Sequence, residues 1–159
     1  MAINLKTLSK PEGQRPIIAT LFGEGGMGKT TLASMFPKPV FIRTEDGTAS
    51  LVGNNDVSLF PLATSSQDVL DAIEALATEK HDHKTLVIDS ITQLATQIES
   101  EIVEADSKAK SISQAGGGYG AGYGQASERH AQIREWAGSL AYEVGMNIVF
   151  IGHADTETL

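Results

Sequence analysis

The segment Gly23-Glu-Gly-Gly-Met-Gly28-Lys29-Thr30 restricts the possible folds of this chain more than any other feature. It fits G-x-x-x-x-G-K-[ST] without a mismatch, and its setting is the right one. Residues 16–22 form an almost continuous apolar run, read as a strand covered on both faces. Residues 29–36 read as a helix stopped by Pro37 and Pro39. A strand, a glycine turn and a helix in that order make a nest for an anion. The glycines let successive backbone N–H groups turn inward where side chains or unfavourable φ angles would block them. The positive end of the helix adds to that field. Lys29 then offers a point charge to β- and γ-phosphates, Thr30 a hydroxyl for Mg²⁺, and Thr31 a contact for the α-phosphate. The expected nucleotide contacts are Gly23, Glu24, Gly25, Gly26, Met27, Gly28, Lys29, Thr30 and Thr31.

The rest of the chain alternates short apolar strands with amphipathic helices. Strands are expected at 40–44, weakly at 57–60, at 86–88 and at 147–151. Ser65 opens a capping-box-like Ser-x-x-Asp68 ahead of a stripe at Val69, Leu70, Ile73 and Leu76. A second stripe runs from Ile91 to Ile102, and a third from Ile133 through Trp136 to Val144, closed by Gly145 at the C′ position. Trp136 is read as core. Strand–helix alternation implies an α/β fold with a parallel sheet and ligands at the strands' carboxyl ends.

Three polar residues end apolar strands and are candidates for chemistry. Asp89 closes Thr85-Leu-Val-Ile-Asp89 and suits the second metal-holding acid that such a phosphate site needs. Glu45, in Glu-Asp-Gly, is either a water-activating base or part of an acidic surface turn. His153 follows Asn147-Ile-Val-Phe-Ile-Gly152 and either senses the terminal phosphate and attacking water or is satisfied locally. His81 and His83 fit a solvated turn better than a metal site.

Composition narrows the function classes. Twenty Asp and Glu against twelve Lys and Arg give a net charge of −8, which argues against a protein held to nucleic acid by bulk charge. Cysteine is absent, so thiolate–zinc sites and cysteine nucleophiles are excluded. No run approaches the ~18 apolar residues of a membrane span, and the start lacks a signal-like apolar region, so the expected compartment is the cytoplasm. A mobile loop is expected over 107–125, where Tyr119 and Tyr123 punctuate glycines. Lys108 and Lys110 precede them, and Arg129 and Arg134 follow. Aromatics beside cations suit stacking on single-stranded bases, a lid, a subunit contact or a plain linker, and the arginines suit fingers reaching a neighbour's nucleotide.

These segments, taken in order, resemble the RecA-core, AAA-type ATPases of bacteriophages linked to recombination and single-strand annealing. The resemblance rests on residues 23–33, 36–42 running into Glu45-Asp-Gly47, 87–90, Tyr119-Gly-Ala-Gly-Tyr123 and 145–153. It implies a P-loop NTPase core with five mainly parallel strands in the order 3-2-4-5-1 and helices on both faces. Residues 1–15 would be an extension and 16–159 a core whose further C-terminal strands lie beyond Leu159 or whose edge a partner covers. It implies ATP or ADP with Mg²⁺ on Thr30 and Asp89, Glu45 as the catalytic glutamate, His153 as the γ-phosphate sensor, single-stranded DNA against 108–134, and a homo-oligomer in a bacterial host's cytoplasm. Two other readings stand beside it. One is a nucleotide-gated assembly module with little hydrolysis. The other is a partitioning-type (Mrp/ParA-like) ATPase, disfavoured because Glu24 replaces its signature lysine and testable because its P-loop and Asp89-type strands are neighbours.

Overall fold

The computed structural model describes residues 3–155; the chain's end at Leu159, like Met1 and Ala2, lies outside the described residues. Five parallel strands make one sheet: β1 (Ile18–Gly23), β2 (Pro39–Arg43), β3 (Ser58–Leu59), β4 (Thr85–Asp89) and β5 (Asn147–His153). Their order is β1-β5-β4-β2-β3, the expected arrangement read from its other edge. β5 lies between the P-loop strand β1 and the Asp89 strand β4, so the partitioning-type neighbour arrangement is not the one adopted.

The helices are α1 (Lys29–Ser34), α2 (Ser66–Thr78), α3 (Ile91–Ala105) and α4 (Ala121–Glu143). One face of the sheet buries Ile42, Leu86, Ile88 and Ile148 against α2, α3 and α4. The other buries Phe41, Val87, Val149 and Ile151 with Ala33 of α1. Both faces of β2, β4 and β5 are covered, which is why those strands read as continuous apolar runs. The run in β1 has a different outcome. Ile18 and Phe22 are half exposed or more, because β1 occupies the sheet edge and pairs only with β5 among the described residues.

Local signals set the helix ends. The Ser65 side chain accepts from the Asp68 amide, and Asp68 accepts from the Ser65 and Thr64 amides, completing the expected capping box. These bonds, first of all that from the Thr64 amide, hold the Asp68 carboxyl below its usual range. Gly145 has φ +77° just beyond α4, in the left-handed region.

Two expectations need correction. Trp136 is 38% exposed rather than core. At ~100° per residue it lies about 40° outside the buried arc made by Ile133, Ala137, Leu140 and Ala141, and about a quarter-turn from that arc's centre. The stretch 107–125 is also not one loop. It holds a 3-10 turn at Ala115–Gly117, and α4 begins at Ala121, well before the apolar stripe. The early turns of α4 are rich in glycine and polar residues, so apolar periodicity does not reveal them.

Candidate nucleotide site

The carboxyl ends of β1, β5, β4 and β2 meet in one cavity of about 330 Å³. Parallel register brings them level: Gly23 pairs with His153, Ile151 with Asp89, and Asp89 with Arg43. The P-loop forms one wall. Gly26 and Gly28 take φ +79° and +86°, which only glycine adopts without strain. Gly28 caps α1, so Lys29, Thr30 and Thr31 follow at the helix N-terminus, with its inward amides. The space above Gly25, Gly26 and Gly28 is open, since a Cβ at any of them would meet nothing within 4 Å. Met27 also lines the cavity but is 71% exposed.

Lys29 is buried, and its Nζ donates to the Gly23 carbonyl at 2.6 Å and the Glu24 carbonyl at 2.7 Å. Glu24 therefore contributes its main chain, not its carboxylate, to this contact. Thr30 Oγ1 donates to Asp89 Oδ2 at 2.7 Å, which couples the P-loop to the end of β4. A hydroxyl and a carboxylate already in contact are an all-oxygen donor pair of the type Mg²⁺ prefers, so these residues fit that ion. Burial, first, and then the charge of Glu45 push the Asp89 carboxyl above its usual range.

Glu45 and His153 stand across from them. Thr44 fixes the route: its amide donates to the Asp89 carbonyl at 2.9 Å, its hydroxyl donates to the Ser90 carbonyl at 2.8 Å, and that hydroxyl accepts from the Ser90 amide at 2.8 Å. These bonds tie the end of β2 to the end of β4 and turn Glu45 into the cavity. His153 Nε2 donates to Glu45 Oε1 at 2.6 Å, and the His153 amide donates to Thr92 Oγ1 at 2.8 Å. So Gly26, Met27, Gly28, Lys29, Thr30, Thr31, Glu45, Asp89 and His153 of the expected set line one cavity, whereas Gly23, Glu24 and Gly25 do not.

Sequence reasoning missed Thr44, Thr92, and the far wall at Gly47 and Ser50. Thr44 and Thr92 act through hydrogen bonds to residues distant in sequence, which no spacing encodes. Gly47 follows Glu45-Asp46 directly and was signalled only as a turn.

The other candidates lie apart from this cavity. His81 Nε2 donates to the Leu76 carbonyl at 2.9 Å while Nδ1 accepts from the His83 amide at 3.1 Å, closing the turn after α2. Arg129 is engaged within its own chain, donating to Ser66 Oγ at 2.8 Å, Gln67 Oε1 at 3.0 Å and Gln132 Oε1 at 2.9 Å. It is therefore not free to act as a finger on a neighbour. Lys108, Lys110 and Arg134 remain exposed, and Tyr119 stands fully in solvent. No helix among the described residues is long and apolar enough to cross a membrane.

A P-loop at the edge of a parallel sheet, with an acid two strands away, defines an α/β nucleotide-binding protein of the P-loop class. The AAA domain family matches residues 15–159, and the chain belongs to that family, an AAA-type P-loop ATPase family. No curated protein matches the chain in sequence.

Proposed function

We propose that this chain binds ATP with Mg²⁺ and hydrolyses it as a RecA-like phage protein acting with single-stranded DNA in recombination or replication. Family membership supports nucleotide binding and hydrolysis in general. The observation that supports the hydrolytic part of the reading is the Glu45–His153 pair across the cavity from Lys29 and the Thr30–Asp89 couple.

In this reading the amides of residues 26–30 cradle the phosphates, and Lys29 exchanges its two carbonyl partners for phosphate oxygens. Thr30 and Asp89 hold Mg²⁺, which when bound neutralises charge on the transferred phosphoryl group. Glu45 accepts the proton of the attacking water, and Thr31 contacts the α-phosphate. His153 Nε2–H is a donor that moves from the Glu45 carboxylate to the γ-phosphate when triphosphate arrives. That exchange frees Glu45 for the water only when the nucleotide is in place. Exposed Tyr119 and Tyr123, with Lys108, Lys110 and Arg134, would meet single-stranded bases and phosphates. Assembly as a homo-oligomer belongs to the same reading.

Phosphate release measured with and without single-stranded DNA tests it. Glu45→Gln is expected to bind ATP and turn it over at least ~10²-fold more slowly. Unchanged turnover in that variant removes Glu45 from the base role. Nucleotide-dependent assembly with no turnover in the native chain favours the gated-module reading instead.

A further inference from the structure

On the side of the cavity formed by β2, β4 and β5, side chains from three strand ends bring ligating atoms toward one point. An oxygen of Glu45, an oxygen of Asp89 and a ring nitrogen of His153 all lie within 4.8 Å of one another. The set is two carboxylates and an imidazole. Mg²⁺ favours oxygen ligands throughout, whereas an imidazole suits Zn²⁺, Co²⁺, Ni²⁺ and similar ions. Mixed sites of three protein ligands with an open position are a familiar arrangement for such metals.

The local charge balance points the same way. Asp89 is only 8% exposed and stands beside a second carboxylate. The hydrogen bonds these carboxylates accept come from the neutral Thr30 hydroxyl and from the His153 imidazole. The Lys29 ammonium, in the same cavity, is directed to the Gly23 and Glu24 carbonyls instead. A divalent cation between the three side chains would relieve the carboxylate repulsion that Lys29 and His153 only reduce.

We propose that the nucleotide-free cavity takes one borderline transition-metal ion of the Zn²⁺ class on Glu45, Asp89 and His153, separate in identity and ligand set from the Mg²⁺ of a bound nucleotide. Ligands ~2.0–2.2 Å from a tetrahedral ion stand roughly 3.3–3.6 Å apart. The Glu45–His153 contact of 2.6 Å therefore opens slightly, and the wider separations, up to 4.8 Å, close. These are side-chain motions of about 1–1.5 Å. Ligation through Nε2 needs the neutral imidazole with its proton on Nδ1, so the hydrogen that His153 now gives to Glu45 shifts to the other ring nitrogen. One consequence rests on the function proposed above: the ion occupies the base and the sensor together, so it halts hydrolysis and competes with Mg²⁺–nucleotide.

Co²⁺ is the probe, added to the full nucleotide-free chain and followed by visible d–d absorption. One equivalent per chain is expected, with the bands abolished by excess Zn²⁺. His153→Ala and, as a near-isosteric control for folding, His153→Asn are each expected to weaken Co²⁺ at least ~10²-fold, more than the 10–100-fold typical of changes beyond the ligands. Lys29→Ala and the double variant His81→Ala/His83→Ala are expected to keep the bands. Absence of bands in the native chain, their survival in both His153 variants, or their loss in the His81/His83 variant overturns the site. The Lys29 variant separates the two readings, since Co²⁺ binding there needs no nucleotide. Hydrolysis with Mg²⁺ alone in a chain that gives no Co²⁺ bands defeats the metal site alone, and Co²⁺ bands from a chain that does not hydrolyse ATP with Mg²⁺ alone, no Co²⁺ being present, defeat the proposed function alone.

Discussion

Two clusters of glycine, 23–28 and 116–124, look alike in sequence and do opposite things in the structure. Above Gly25, Gly26 and Gly28 there is open space, and a Cβ would touch nothing within 4 Å. In the second cluster a Cβ on Gly122 would lie 2.2 Å from the Ile112 carbonyl oxygen, and one on Gly116 would lie 2.9 Å from Gln125 Nε2. The first cluster keeps a volume clear for something outside the chain. The second, at Gly116 and Gly122, lets the chain pack against itself, while Gly117, Gly120 and Gly124 stand open. Its five consecutive residues from Gly116 to Gly120 all have positive φ, and this turn presents Tyr119, itself at φ +53°, to solvent. A tyrosine held in that region costs ~1–2 kcal/mol and persists because its surroundings fix it.

That contrast is breakable in three ways, in falling order of effect. Lys29→Ala is expected to weaken ATP binding by ~10²-fold or more, since charge-assisted hydrogen bonds contribute ~1.5–3 kcal/mol each. Its thermal stability is expected to change little, so a variant that unfolds would make Lys29 a fold residue rather than a ligand residue. Gly122→Ala should behave inversely, losing ~1–3 kcal/mol of stability by overpacking while the folded fraction binds ATP with native affinity. Urea titration beside nucleotide titration measures both, and an unchanged urea midpoint would mean the 116–124 turn is loosely packed. Tyr119→Gly should be the smallest, a gain of ~1 kcal/mol from released backbone strain. Under the proposed function it also lowers stimulation by single-stranded DNA. A Tyr119→Gly variant that melts earlier than the native chain would show that the ring is needed for packing.

Much of this was legible in the residues. The P-loop, the five strands, their order and the strand-end positions of Glu45, Asp89 and His153 followed from motif, apolar runs and family resemblance. The convergence of those three side chains was not written in any spacing, because it depends on Thr44, Ser90 and Thr92 bridging neighbouring strand ends. The start of α4 was hidden for another reason. Glycine and polar residues give no apolar period there, and tertiary contacts at Gly122 and Ala126 decide the conformation. Arg129 looked like a free cation until Ser66 and Gln67, more than sixty positions away, were found to hold it.

Among the described residues, the P-loop hangs from an edge strand of the sheet. The Ile17 carbonyl accepts from the Ile148 amide and the Gly23 carbonyl from the Ala154 amide, so the odd-numbered peptide groups of β1 face β5. Those of Ile18, Thr20 and Phe22 face outward, beside side chains that are themselves half in water. The anchor of the phosphate cradle is thus more open to hydrogen exchange than the central strands β5 and β4. Any ligand that grips the loop also fastens this margin, so part of its binding energy appears as slower opening of the strand beneath.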